Sequence, residues 1–458
     1  MKRNLKPILA VVLTAAAYSG SALAQDPIAC FADPNDNVPC TANIPAIPFD
    51  LLPPGARSLG LGGAFAAVAD DATAAEANPA GQTILTRPEV SLHGRHADYD
   101  ITVFDPNALD AVAGAAVGPG PVTGYDDTNT KVSFASFVYP FERFVLSAYY
   151  QNTGEVRGSS NIQSINSRFI DTYNATTDLT AEQEAFGISG AFRVNDLISI
   201  GASIKYAKLD LEYFTASSIL DFSDVEFNIG GDPATNAGTI NGIDALLLGA
   251  EGDDHDIAWN AGLLINPNGK VSFGLVYKDG GSYEVDTAVG YLNVFNCNGL
   301  AGCTAPPVNE TTLLDSGRQN LELPDVFSIG IAARPTDTWL LSLQIDHIDY
   351  GDLPPPTPTS LIFGVPANVT DLNAEISVHA GVEKTFLFEQ PVLGMSLLNV
   401  RAGIFSDRDH DGYADIDTGG RHYTFGLGTV FGENFQLDLG AEWSDKVDNV
   451  VMSAVYRF

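Results

Sequence analysis

The sequence predicts an all-β fold: a transmembrane antiparallel β-barrel of fourteen strands, its lumen plugged by a stretch near the N-terminus. Three observations predict it. From about residue 88 onward, apolar and polar residues alternate with period two, as in strands whose two faces meet different surroundings. Connections between these strands alternate between tight turns and long segments, as in barrels with short turns at one end and long loops at the other. Ahead of them, residues 57–81 are rich in Gly and Ala and almost free of large side chains, which suits a strip that must fit among inward-facing side chains.

The alternation is clearest near the C-terminus. Phe435, Leu437, Leu439, Ala441 and Trp443 share one face, opposite Gln436, Asp438, Gly440 and Glu442. Ile257, Trp259, Ala261, Leu263 and Ile265 repeat the pattern opposite Asn260 and Gly262. So do Leu398, Val400, Ala402 and Ile404 opposite Asn399, Arg401 and Gly403, and Tyr423, Phe425 and Leu427 opposite Thr424, Gly426 and Gly428. Aromatics at strand ends, Tyr99, Tyr139, Phe141, Tyr149, Tyr150, Trp259, Tyr277, Trp339, Tyr350, Phe405, Phe431, Phe435 and Trp443, form the expected interfacial girdles. A soluble sandwich would also alternate; the girdle and the loop rhythm favour a barrel, the one way strands can span lipid with every backbone group paired.

Tight turns are expected at 140–142, 194–197, 266–269, 334–337 and 432–434, and long connections at 100–129, 153–183, 214–255, 290–324, 350–373 and 406–420. One connection, 385–396, breaks the rhythm. Two long segments each carry a predicted short helix, Asp178–Phe186 and Ile243–Ala250. The second presents Leu246, Leu247 and Leu248 as loop packing or as a landing site for a greasy ligand.

Lys2, Arg3 and Lys6, an apolar run and Ala22-Leu23-Ala24 read as an export signal over residues 1–24. The remainder divides into an extension (25–44), a plug (45–87) and the barrel (88–458). The formal charge of −34 argues against nucleic acid as a partner. Cys30, Cys40, Cys297 and Cys303 fall as two local pairs in an oxidising compartment, and Cys30–Cys40 with Cys297–Cys303 is the simplest of three pairings. A metal site is the rival, without C-x-x-C spacing in its favour.

No catalytic constellation appears: the seven histidines are scattered, and there is no G-x-S-x-G, phosphate loop or H-E-x-x-H. An enzyme is not expected, and no cofactor is required. One loop carries metal-ligand spacing: Asp407, Asp409, Asp411, Tyr413 and Asp415 alternate with Gly412 at the sixth position, like the first half of a calcium loop. Thr418 stands where the bidentate Glu would be, and the rival reading is an acidic solvated loop. Among the polar-face residues, Asn260, Gln344, Asp346, Asn399, Arg401, Gln436, Asp438 and Glu442, most are expected to hold the plug. Arg401 is expected to meet a ligand carboxylate, or a plug acid such as Asp70 or Asp71.

The stretch from Ser58 to Gly81 resembles the N-terminal hatch of the FadL/TodX family of outer-membrane transporters. The matching residues are Gly62-Gly63-Ala64-Phe65, Ala69-Asp70-Asp71-Ala72 and Asn78-Pro79-Ala80-Gly81. The resemblance implies passive passage of long-chain fatty acids or other hydrophobic molecules such as aromatic hydrocarbons, with Gly62, Gly63, Phe65, Asp70, Asp71, Asn78, Pro79 and Gly81 in the gating hatch. It implies a cell outer membrane location, lipid and lipopolysaccharide around the barrel, and outer loops that gather substrate. The terminal Phe458 resembles the signal read by the barrel-assembly machinery, and a monomer is expected. Two rivals are a hydrophilic diffusion porin and a barrel without a ligand tunnel that serves secretion or surface attachment.

Overall fold

The structure, a computed structural model, describes residues 51–104, 123–163, 174–221, 225–228, 237–266, 269–298, 310–350, 374–407, 420–445 and 447–458. The wall begins with β1 (Glu89–Phe104), β2 (Thr123–Pro140), β3 (Phe144–Gln163), β4 (Asn174–Arg193) and β5 (Ile198–Asp221). A short β6 (Val225–Asn228) precedes the long β7 (Ala237–Ile265). Two staves are each broken once: β8 (Val271–Lys278) continues as β9 (Ser282–Asn298), and β10 (Glu310–Glu322) as β11 (Asp325–Thr336). The rest are β12 (Trp339–Asp349), β13 (Glu375–Val392), β14 (Met395–Asp407), β15 (Gly420–Phe431), β16 (Phe435–Trp443) and β17 (Val447–Arg457).

Each stave pairs antiparallel with the next, and β17 pairs with β1 from Glu89↔Arg457 to Tyr99↔Val447, closing the ring. With β6 outside the count and the two broken staves taken whole, fourteen staves make the barrel. Closure leaves no open edge between first and last strands, the condition for strands in lipid. Side chains alternate in and out accordingly: β12 reads exposed–buried along its whole length, with Leu341, Leu343 and Ile345 outward and Ser342, Gln344 and Asp346 inward. The apolar faces read from sequence on β7, β14, β15 and β16 are the outward faces here.

Four differences stand out. The predicted helices at Asp178–Phe186 and Ile243–Ala250 are strand, in β4 and β7. Partners on both sides override local helical spacing: Asp178 pairs with Ser159 and Phe214, and Leu246, Leu247 and Leu248 pair with Ser217, Ala216 and Thr215 and with Tyr291, Gly290 and Val289. Those leucines therefore do not form a helical landing site. The expected long connection at 385–396 is a two-residue hairpin: Val392 pairs with Met395 around Leu393 (φ 52) and Gly394 (φ 83). Finally, Tyr99, Tyr149, Tyr350 and Phe405 are buried rather than part of a girdle, whereas Tyr139, Phe141, Trp259, Trp339, Phe435 and Trp443 are exposed.

The turn yields a prediction. Both central residues have positive φ, as a type I′ hairpin demands, and leucine is poorly suited to it. Leu393 is 88% exposed, so no packing repays the strain. Leu393→Asn is expected to stabilise the barrel by about 1 kcal/mol, read as a higher thermal midpoint in detergent. An unchanged or lower midpoint would refute it.

Among the described residues, the backbone ladder is interrupted at two places between neighbouring staves that both continue. Between β7 and the β8/β9 stave, paired residues stop at Asn260↔Lys278 and resume at Glu251↔Asp286. Carboxylates stand in for the ladder there: Ser282 donates its amide to Asp256 (2.9 Å), Glu284 to Asp254 (2.7 Å) and Trp259 to Asp279 (3.3 Å). The second place is between β2 and β3. Their ladder runs only from Pro140↔Val145 to Phe134↔Gln151, while both strands continue paired to β1 and β4. Beyond it the strands are splayed, and Asp127 accepts the Arg157 amide (2.7 Å) across the interval.

Candidate functional site

Inside the ring lies the segment that precedes β1. It contains α1 (Ala56–Gly60), α2 (Ala74–Ala77) and a 3-10 turn (Pro79–Ile84), and nearly every residue from Ala56 to Thr83 is buried. Its backbone is bonded by inward side chains from around the wall. Gln344 accepts the amides of Phe65 (2.9 Å) and Ala66 (2.7 Å). Ser272 donates to the Ala67 carbonyl (2.7 Å) and Asn260 to that of Glu76 (3.1 Å). The Ala56 amide donates to Ser453 (2.9 Å), and two side chains of the segment join in, the Gln82 amide donating to Ser189 and the Thr83 hydroxyl to Ser199. A strip so short of its own ladder must borrow partners in this way, because unpaired buried amides are costly.

Glycines let the backbone come this close. Four cross-strand pairs on the inner face, Gly201–Gly262, Gly274–Gly330, Gly381–Gly403 and Gly426–Gly440, lie directly against the segment. A Cβ on Gly274 would run into the Ala66 carbonyl, and one on Gly403 into the Gly62 amide. One on Gly440 would stand 2.5 Å from the Ala56 oxygen, and one on Gly201 would overlap the Pro79–Ala80 peptide. In chain order the segment passes β16 and β15, then β14 and β13, then β11 and β8, then β7 and β5. It is laid circumferentially along the wall.

Within this segment lie the residues singled out from sequence. Gly62 and Gly63 carry φ 63 and φ 76, which leucine or alanine would resist. Phe65 is fully buried. Asn78 is a turn-former as expected: its Nδ2 donates to the Ala66 carbonyl (2.6 Å) and its Oδ1 accepts the Ala80 amide (3.1 Å), so Pro79 opens the 3-10 turn over Gly201. Gly81 packs on Ala69 with no room for a side chain. Asp70 is held by Arg57 and Arg334 (2.9 Å), and Asp71 by the Thr73 amide and hydroxyl. Burial pushes the Asp71 carboxyl up from the ordinary range, against the pull of Arg57 and the Thr73 bonds.

Arg401 does not meet those acids. It bonds Glu383 (2.6 Å) and Asp438 (2.7 Å), two wall residues, and its side chain is 0% exposed. Arg57 reaches the same Glu383 (3.1 Å), so the segment joins this network through a cation, and Asp70 is linked to it only by way of Arg57. Arg401 is thus a buried structural cation with its charge already matched, not an open receptor. Further round, His379 contacts Asp346 (3.1 Å) and stacks on Phe405, which stacks on His422, itself bonded to Glu442 (2.7 Å).

On the far side of the segment from the short turns, the inner face changes character. Ala97 and Tyr99 of β1, Ala181 and Ala185 of β4, Ala207, Leu209, Leu211 and Tyr213 of β5, Tyr283 and Val285 of β9, and Leu321 with Leu323 form one buried apolar cluster. These are lumen-facing positions, where a water-filled barrel carries polar residues. The cluster's β1 and β4 members flank the splay between β2 and β3. There, Arg95 donates to the Thr153 carbonyl (3.3 Å) and Lys131 pairs with Glu182. The sequence carried these residues as ordinary alternation; only the register gathers them.

The calcium-type loop lies outside the described residues except for Asp407, at the end of β14. So do Cys30, Cys40 and Cys303, while Cys297 lies in β9.

A family model described as "Outer membrane protein transport protein (OMPP1/FadL/TodX)" matches residues 55–354. The chain belongs to this family. Its barrel is therefore an outer-membrane barrel, and the span matched begins at the inlaid segment. The chain is 26% identical over 305 residues to a long-chain fatty acid transport protein of Escherichia coli O6:H1, covering 64% of either chain. It thus spans a little under two thirds of the length of that relative. Among solved structures, a Pseudomonas aeruginosa FadL homologue matches with TM-score 0.55 at 14% identity, over 90% of this chain and 99% of that one. The Pseudomonas putida toluene transporter TodX matches with TM-score 0.55 at 16% identity, over 89% and 99%. These likenesses bear on the fold. The relatives are named as transport proteins, not as enzymes.

Proposed function

We propose that the protein conducts hydrophobic small molecules, long-chain fatty acids or hydrocarbons, into the outer membrane by diffusion, without a cofactor or a covalent step. The observation that carries this reading is the buried apolar cluster on the lumen face of the wall, bordered by the splay between β2 and β3. Water excluded from such a surface favours apolar cargo at about 25 cal/mol per Å² covered. The splay beside this cluster gives apolar cargo a way sideways, through the wall, into lipid. The names of the relatives, a fatty acid transporter and a toluene transporter, support the same class of cargo. Gly62, Gly63, Asn78, Pro79 and Gly81 shape the hatch, and the chain works as a monomer inserted by the assembly machinery through its terminal Phe458. A hydrophilic porin is disfavoured by the apolar residues on the lumen face.

The test is uptake of labelled oleate and of toluene by a strain lacking its own channel, with and without this protein, beside planar-bilayer conductance. Faster uptake of at least one cargo with low ion conductance is expected. A large open conductance, or no uptake of either, would overturn the reading.

A further inference from the structure

The splay between β2 and β3 is bounded by two bulges. Ser133 of β2 drops out of register with β1, and Thr153 of β3 drops out of register with β4, at the level where the β2–β3 ladder ends. Bulges of this kind end pairing and re-aim side chains. Beyond them, side chains cross the interval in place of a backbone ladder. Arg95 of β1 donates to the Thr153 carbonyl (3.3 Å), Asp127 of β2 accepts the Arg157 amide (2.7 Å), and Lys131 of β2 pairs with Glu182 of β4.

The last of these joins opposite faces of the wall. Lys131 stands directly opposite Arg95, a buried residue of the lumen face, while its neighbour Val132 is exposed on the outer face. Glu182 lies between Ala181 and Gln183, both buried on the lumen face, so its own position is outward. Asn152 of β3 donates to the same carboxylate (3.1 Å). β3 stands between β2 and β4, so an inward lysine meets an outward carboxylate by passing its side chain through the interval that the ladder leaves. The two side chains are 30% and 21% exposed, so the pair is neither sealed off nor fully wet.

We infer that Lys131 and Glu182 form a latch across this slit, so that cargo crossing the wall between β2 and β3 must first part them. This rests on the splay being the cargo path. The methylene stem of Lys131 lies in the slit as apolar cover, and its ammonium fastens the β2 side to the β4 side. A partly exposed ion pair is a weak bond, which suits a closure that opens at every passage. Neither residue belongs to the buried apolar cluster, so the latch sets the rate of passage and leaves the affinity for cargo alone.

The experiment measures initial rates of labelled toluene and labelled oleate uptake, over a range of concentrations, in a strain lacking its own channel. The strain carries wild type, Lys131→Met, Glu182→Gln or the charge-swapped double variant Lys131→Glu with Glu182→Lys, and heat-dependent gel mobility confirms that each barrel is folded. Lys131→Met keeps the stem and removes the charge. Each single variant is expected to raise the maximal rate about threefold at unchanged half-saturation, the size that a partly exposed ion pair allows, and the swap to bring the rate back to that of wild type. Maximal rates at or below wild type in both single variants overturn the latch and leave the cargo path standing. A swap as fast as the single variants, or a change confined to half-saturation, does the same. Should wild type speed the uptake of neither cargo, the splay is not a path and both readings fall.

Discussion

Gly274→Val is expected to unseat the inlaid segment and raise the ion conductance of the barrel several-fold. The added Cβ would occupy the position of the Ala66 carbonyl, a backbone atom that cannot swing aside like a side chain. Gln344 and Ser272 pin the peptides on either side, so the clash cannot be relieved locally. Overpacking of this kind costs typically about 1–3 kcal/mol, and valine adds branches beyond the first carbon. Gly330 faces Gly274 across the ladder and receives Ala67, so Gly330→Val should act in the same direction with a smaller effect. Gly317→Val is the control, because open space surrounds that glycine. The measurement is single-channel conductance in planar bilayers, with heat-dependent gel mobility to confirm a folded barrel. If Gly274→Val and Gly317→Val conduct alike, the glycine pairs are not seats.

Arg401→Met should destabilise the barrel by about 3–5 kcal/mol, the cost of breaking a buried ion pair by removing one side. Glu383 would keep Arg57, but Asp438, 2% exposed at its side chain, would keep only the Gln436 amide (2.6 Å). Adding Asp438→Asn to the same chain should restore most of the loss, because the orphaned charge goes with it. The readout is the denaturant midpoint of unfolding from detergent. A small loss that Asp438→Asn does not reverse would mean that the charges are screened by water.

These two residues show where sequence reading reaches and where it stops. The inward glycines of β7, β14, β15 and β16 were visible as the polar-face partners of apolar alternation, because period two needs no coordinates. Their pairing across strands was not, since it depends on register, and register comes from hairpins such as Leu393–Gly394 that short-range signals described as a longer connection. Asn78-Pro79 declared a turn through its own chemistry, and the structure adds the two bonds that Asn78 makes. Arg401 stood out as a lone cation among acids, but its partners, Glu383 and Asp438, come from the two sides of the ladder. The helices expected at Asp178–Phe186 and Ile243–Ala250 failed for the same reason, since spacing within a segment cannot register the neighbours that extend it.

The course of the inlaid strip bears on how the molecule is made. Its leading end is tied to Ser453 of the last strand, its tail runs straight into the first, and in between it visits staves on every side. A finished ring offers no way to thread so well-fitted a lining from outside. The strip, synthesised before any stave, is therefore positioned to act as a mandrel: the hoop is gathered around it, and the seam between first and last strands can shut only once it is in place.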